Sequence, residues 1–538
     1  MDRVHLTAAH LRAAPLRAAL RRHWLFGLAL AAAVVVRVAA MLAFRPVMWF
    51  GGDSASYLAT ALRLIPDPSR VGGYAALLWI LRPLHSFAAV GLVQHVMGLA
   101  VGIMVYALAK RYGLPSWAAT LATLPVLFDA YQLQLESDIV PDSSFGLLVV
   151  VALYLMLRVP GERRMSRAAA AAFLLGVSAV IWPVGLPLLV VLLVALLIRR
   201  AGLIALIAAI LAGALPVVAY AGWFDLHQHR LSLTTSDGVY LWSRTMSFAN
   251  CAVIKPPADE AALCPPPGQP RMAASLYIWD GNSPLLRLPG GRFSPRTNAL
   301  ARNFALRAIE AQPGGYAAAV THDFALSFYW DRPVHPDAGI VDRYQFADAA
   351  TAWVPAGMHT LGGGTVAGDQ AAYNGGPPAP TRAVQPFASW LVNYQRAVFL
   401  PGTLLGVIML AALAAMIARR RSGGAGLAWT FALTILIIPP FIADFDLRYL
   451  VPAVPAACLA AALAFAPRAA SSADREAADR GAADWEPDGR RGRTGQRSRT
   501  GQRRWTTSPA ATGTSVPDGS RTSSLPSEST PTASPESS

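Results

Sequence analysis

Long apolar runs separated by short basic turns set the pattern of this chain. A helix of about 20 apolar residues crosses a bilayer. Roughly ten such runs can be drawn, at 24–44, 88–109, 115–133, 139–157, 168–182, 184–198, 201–222, 397–418, 427–443 and 449–466. The stretch from Ala168 to Ile198 is too long for one crossing, and Trp182-Pro183 is where it turns back, because proline removes a backbone donor and interrupts a helix. Residues 1–23 are polar and carry Arg12, Arg17, Arg21 and Arg22. The first run continues to Phe44 and meets Arg45-Pro46 with no small-residue cleavage site, so a retained anchor is expected rather than a signal peptide.

Charge then orients the drawing. With the N-terminus inside, Lys110-Arg111, Arg158 with Arg163, Arg164 and Arg167, Arg199-Arg200 and Arg419–Arg421 all fall on the cytoplasmic side, as the positive-inside rule requires. The expected organisation is an all-α polytopic membrane protein. It has a cytoplasmic N-terminus (1–23), a transmembrane core with its outer loops (24–222), an extracytoplasmic α or α/β domain (223–396), three further spans (397–467) and a cytoplasmic tail (468–538). The first outer loop holds the apolar stretch Tyr74–Leu81, too short to span. In the extracytoplasmic domain, Tyr316, Val320, Phe324 and Phe328 repeat at helical spacing and are expected to pack on the rest of the domain or on the membrane surface. The tail has almost no aliphatic content and reads as disordered.

Composition narrows the class. Hydrophobic residues make up 54% and charged residues only 14%, against about a quarter charged in soluble proteins, which excludes an ordinary cytosolic enzyme. The 43 Gly and 41 Pro show no three-residue period, which excludes a collagen-like fibre. The net charge of +15 comes almost wholly from Arg, Lys occurring only at Lys110 and Lys255. This usage points to a GC-rich bacterial genome and hence to the plasma membrane. Because the Arg residues lie between apolar runs, they report topology rather than nucleic-acid binding. Three cysteines are too few for a disulfide scaffold or a Cys-based zinc site, but Cys251 and Cys264 in the extracytoplasmic domain are expected to bridge.

Ionisable groups at membrane depth are costly and start as functional candidates. Asp53 follows two glycines in Gly51-Gly52-Asp53-Ser54, just outside the first run; it reads equally as a general base or as the N-cap of a helix beginning at Ser54. Glu136, Asp138 and Asp142 gather at the outer junction of the third and fourth runs, as cavity-lining acids or as a hydrated turn. These carboxylates could in principle bind a divalent cation, although no dense ligand motif supports one, and no other cofactor is indicated. Arg448, in Asp444-Phe445-Asp446-Leu447-Arg448-Tyr449, is an outside Arg in a chain that keeps most of its short-loop Arg inside. It suits a phosphate held by a two-pronged guanidinium, or else a salt bridge to Asp444 or Asp446. Arg37, within the first run, either lines the cavity or snorkels outward, the structural role being favoured.

With these residues in place the chain resembles the GT-C class of membrane glycosyltransferases, in particular the bacterial polyprenyl-phosphate-sugar-dependent enzymes related to protein O-mannosyltransferases and aminoarabinose transferases. The resemblance rests on Asp53, Gly73-Tyr74, Glu136 with Asp142, and Arg448-Tyr449 followed by Pro452 and Pro455. It implies a polyprenyl-phosphate sugar donor, an envelope protein, lipid or glycan acceptor reached from outside, and an inverting transfer with Asp53 as base. Tyr57, Tyr74, Glu136, Asp142, Arg448 and Tyr449 become donor- or acceptor-binding candidates. Relatives often carry an Arg before the proline of the hairpin, where this chain has Trp182. Two other classes compete: a flippase or transporter for a lipid-linked sugar, which would place ionisable groups near the midplane, and a non-catalytic membrane scaffold.

Overall fold

The computed structural model describes residues 2–157, 164–265, 268, 270–349, 355–378, 380–420 and 423–467. The tail 468–538 and the basic residues Arg158, Arg163 and Arg421 lie outside the described residues. The first half is a series of helices: α1 (Asp2–Ala43), α2 (Gly51–Arg63), α3 (Gly73–Leu81), α4 (Phe87–Arg111), α5 (Ser116–Leu121), α6 (Leu124–Phe128), α7 (Ala130–Ser137), α8 (Asp142–Leu157), α9 (Arg164–Ile181), α10 (Gly185–Ile198) and α11 (Leu203–Gln228). A middle region follows with α12 (Asp237–Met246), α13 (Cys251–Ile254), α14 (Ala274–Trp279), α15 (Pro295–Ala311), α16 (Pro313–Leu326), α17 (Ala338–Val341) and α18 (Val366–Asn374). The chain then returns through α19 (Phe387–Ala397), α20 (Gly402–Ala418), α21 (Gly423–Ile442) and α22 (Val454–Phe465).

Among the described residues, five helical segments are long and apolar enough to cross a membrane: Arg21–Ala43, Phe87–Arg111, Leu203–Gln228, Gly423–Ile442 and Leu447–Phe465. A sixth forms if α19 and α20, bent by 49° at their junction, count as one. The other expected runs are shorter apolar helices. The run expected at 115–133 is broken into α5, α6 and the start of α7. Pro125 sits in the first turn of α6, and Asp129 caps α7 by accepting from the Tyr131 amide. The turn at Trp182-Pro183 falls between α9 and α10.

The helices share one apolar core that runs from Val47 to Ala464, while α12, α14 and α15 enclose a second around Trp242, Ile278 and Phe304. Among the described residues of the middle region, helices alternate with loops and with two-residue strands, Arg382–Ala383 pairing with Phe44–Arg45 and His359–Thr360 with Gly364–Thr365. Cys251 and Cys264 are bridged across this second core, their Cα atoms 6.1 Å apart. The aromatic stripe of α16 faces α21, where the Tyr316 hydroxyl donates to the Phe441 carbonyl at 2.8 Å, and Phe324 and Phe328 pack on the main core.

One close approach seats α3 beneath the site. A Cβ on Gly73 would stand 2.4 Å from the Val180 carbonyl oxygen at the end of α9, with backbone on both sides of the contact. Gly73→Ala therefore forces two main chains apart and is expected to cost roughly 1–3 kcal/mol. Gly52→Ala, where a Cβ meets nothing within 4 Å, should leave stability unchanged or slightly raised. Thermal unfolding of the two variants in detergent checks both expectations.

Candidate active site

The site forms where the ends of α2, α8 and the Asp444–Tyr449 segment converge. A short bridge brings the first two together: Met48 N donates to Ser137 O at 2.9 Å and Ile139 N donates to Met48 O at 3.2 Å. Ser54 then accepts from Phe50 N at 2.8 Å and donates to Ile139 O at 2.9 Å. Helix α2 opens at Gly51, whose φ of +50° favours glycine, with Phe50 as a cap that makes no side-chain hydrogen bond. Asp53 thus lies inside the first turn and is not the N-cap of a helix beginning at Ser54. The N-cap alternative fails because the helix starts two residues earlier than that reading needs.

Arg448 ties the convergence together. Its Nη1 donates to Asp53 Oδ2 at 2.8 Å, while Nε and Nη2 fork onto Asp142 at 3.3 and 2.6 Å. Neither Asp444 nor Asp446 is its side-chain partner. Asp446 instead accepts from the Arg448 amide at 3.5 Å, and Asp444 accepts from Ser275. The guanidinium also lies over the Phe50 ring, 5.2 Å from its centre. On the other side of Asp53 stands Arg70, whose Nη1 donates to Oδ1. Arg70 is positioned by its own loop: Asp67 accepts from the Ser69 amide at 2.7 Å, and Ser236 Oγ pins the Ser69 carbonyl at 2.9 Å. Its guanidinium lies within 6 Å of the ring centres of Tyr57 (5.9 Å) and Trp279 (5.8 Å).

Asp53 is therefore a carboxylate between two cations, with 27% of its side chain still reachable by solvent. Burial favours the neutral acid, yet Arg70 and Arg448 outweigh it and hold the carboxyl down at about 2. A carboxylate that acidic is a weak base for as long as both cations stay on it.

The other sequence candidates separate into those that border this cluster and those that do not. Tyr57 is near Arg70, and Tyr449 stacks on Trp182 at 5.0 Å. Trp182 also meets Phe145 edge-on at 4.8 Å, so an aromatic stack adjoins Arg448 through Tyr449. Tyr74 lies deeper; it is fully buried, meets Tyr57 edge-on and donates to Gln94 Oε1 at 2.6 Å. Glu136 is turned inward. Fully buried, it accepts from Arg37 Nη2 at 2.8 Å and Gln132 Nε2 at 2.9 Å, with His95 Nδ1 at 2.9 Å. Its oxygens are committed, which makes it a lock between α1, α4 and α7 and not a wall of the Asp53 cluster. Gly98 makes room for this lock, since a Cβ there would stand 1.8 Å from Glu136 Oε1.

Arg70 is the functional candidate that sequence reading missed. The available signal was the one that marked Arg448, an arginine that the topology drawn from the sequence puts in an outer loop against the charge rule. Loop arginines are common, however, and only the fold brings this one onto Asp53.

No protein-family model matches the sequence, and no curated protein matches it either. Among solved structures the chain is similar to the oligosaccharyltransferase AglB from Archaeoglobus fulgidus in complex with an inhibitory peptide and a dolichol-phosphate, at 13% identity and a TM-score of 0.35, over 88% of this chain and 53% of that one. It is also similar to ArnT from Cupriavidus metallidurans bound to undecaprenyl phosphate, at 14% identity and a TM-score of 0.33, over 82% of this chain and 76% of that one. The chain spans about half the length of the archaeal oligosaccharyltransferase. What the site does follows from its own residues.

Asp142 is 5% exposed and its partner Arg448 11% exposed. Removing one member of a buried pair leaves an uncompensated charge, at a cost of roughly 3–5 kcal/mol. Asp142→Asn should fall near the lower end, because Asp53 remains as a second partner. The double variant Asp142→Asn/Arg448→Met should be less destabilised than the sum of its singles, and denaturant or thermal unfolding of the four proteins measures the difference.

Proposed function

We propose that this chain transfers a sugar from a polyprenyl-phosphate carrier to an acceptor hydroxyl at the outer face of a bacterial plasma membrane. The observation that supports this reading is one carboxylate held between two arginines at the end of apolar helices, beside Tyr57, Trp279, Tyr449 and Trp182. Paired guanidinium groups suit a phosphate, aromatic walls suit a sugar ring, and the membrane supplies a carrier lipid. In this reading the N-terminus and tail are cytoplasmic, and the middle region, with its Cys251–Cys264 bridge, faces the oxidising side.

The acid pKa of Asp53 fits the reaction once the donor is considered. A lipid phosphate competes with Asp53 for Arg70 and Arg448. As each guanidinium swings its hydrogen bonds to phosphate oxygens, the field on Asp53 weakens and its pKa climbs toward the ordinary carboxylate range. Donor binding thereby restores the base. The acceptor oxygen then attacks the anomeric carbon from the face opposite the phosphate, its proton passes to Asp53, and the anomeric C–O bond breaks with its electron pair on the phosphate. The centre inverts. The leaving group is an anion stabilised by the two arginines, so no general acid is demanded.

Asp53→Asn separates this role from simple ion pairing. Turnover with a polyprenyl-phosphate sugar should fall about 100- to 10,000-fold, the usual worth of a general base. Donor affinity should hold or improve, because the amide no longer competes for the arginines. Near-wild-type turnover in a folded Asp53→Asn protein would remove the proposal.

A further inference from the structure

Away from the Asp53 cluster, three potential metal ligands meet from distant parts of the chain. Asp323 projects from α16, His335 from the loop after it, and Asp444 from the segment that follows α21; their ligand atoms all lie within 4.8 Å of one another. Asp323 and Asp444 are each 4% exposed and the His335 side chain 16%. His335 Nε2 is 2.6 Å from Asp444 Oδ1, and a carboxyl oxygen of Asp323 lies within 4.8 Å of one of Asp444. Two carboxylates this close repel unless a proton or a cation offsets them.

We propose that Asp323, His335 and Asp444 bind a divalent transition-metal ion, Zn²⁺ being the best match, with water completing the coordination. One imidazole nitrogen and two carboxylate oxygens form a donor set that zinc accepts, and they are too few oxygens for a protein-built calcium cage. The ligands are themselves held. Ser275 donates to Asp444 Oδ2 through its amide at 3.0 Å and its hydroxyl at 3.1 Å, and the Phe445 amide donates to Oδ1 at 2.9 Å. The buried Arg244 donates to Asp323 Oδ2, and His322 Nδ1 stands 3.2 Å from Oδ1. Asp323 keeps a lone pair on each oxygen, and Asp444 Oδ1 frees one for an ion once His335 Nε2 turns from hydrogen bonding to ligation. Hydrogen bonds of this kind orient metal ligands and fix their charge. The ion would clamp α14, α16 and the His335 loop to the segment that carries Arg448, and the inference stands whether or not the chain transfers sugars.

The test uses the full chain, purified in detergent through a non-metal affinity tag and stripped with EDTA. Titration with Zn²⁺ should raise the melting temperature and saturate near one equivalent, and Co²⁺ should give a d–d absorption band of a site with nitrogen and oxygen ligands. His335→Ala and Asp444→Asn should each weaken binding by more than tenfold, and Ser275→Ala by about tenfold. Asp53→Asn should leave it unchanged. Wild-type protein that binds neither ion more tightly than about 100 µM, a range reached by adventitious surface sites, would overturn the proposal. So would binding lost in Asp53→Asn but kept in His335→Ala.

Discussion

The arrangement of this site depends on one buried cation. Arg448 sits at the end of an apolar helix segment, where an unpaired guanidinium would be prohibitively costly, and it meets two carboxylates from helices far away in sequence. Asp142 takes two prongs of the fork and fixes its plane; Asp53 takes the third contact. This division matters chemically. The first carboxylate is buried and committed to orienting the arginine, whereas the second is partly open and shared with Arg70, so a ligand can compete for it. The Met48 to Ile139 bridge and the Ser54 hydroxyl hold the two acids at the spacing this requires.

A second ionic lock lies within the helices, where Arg37, His95 and Glu136 join α1, α4 and α7. The two clusters use the same residue types to different ends. Around Glu136 the partners come from helices, and Arg37, His95 and Glu136 are all buried. Around Asp53 one partner, Arg70, comes from a loop and the other, Arg448, from the start of a helical segment, and the middle region contributes Trp279 and the Ser236 contact that braces the Arg70 loop. The middle region is therefore part of the wall of the site, through contacts that no single helix could supply.

Much of this was legible in the sequence, for physical reasons that can be named. Apolar length and the spacing of basic turns located the helices, and the turn at Trp182-Pro183 followed from the missing amide of proline. Asp53 and Arg448 stood out because charged residues beside apolar runs are rare. Other features were hidden. Pro125 breaks a stretch whose composition alone reads as one crossing. Glu136 and Asp142 look alike in sequence, and only the bare backbone of Gly98, which lets the Glu136 side chain turn inward, distinguishes them. Arg70 needed the fold of its loop. Asp323, His335 and Asp444 needed the docking of α16 on α21, since no local spacing links them.

The central claim is that Arg70 and Arg448 together receive a lipid phosphate that competes with Asp53. Native mass spectrometry of the detergent-solubilised protein with a polyprenyl phosphate tests it most directly. The account predicts a bound lipid whose affinity falls at least tenfold in Arg70→Ala and in Arg448→Ala, the loss expected when one charge-assisted hydrogen-bonding partner is removed. Equal affinity in wild type and in a folded Arg70→Ala/Arg448→Ala protein would contradict it.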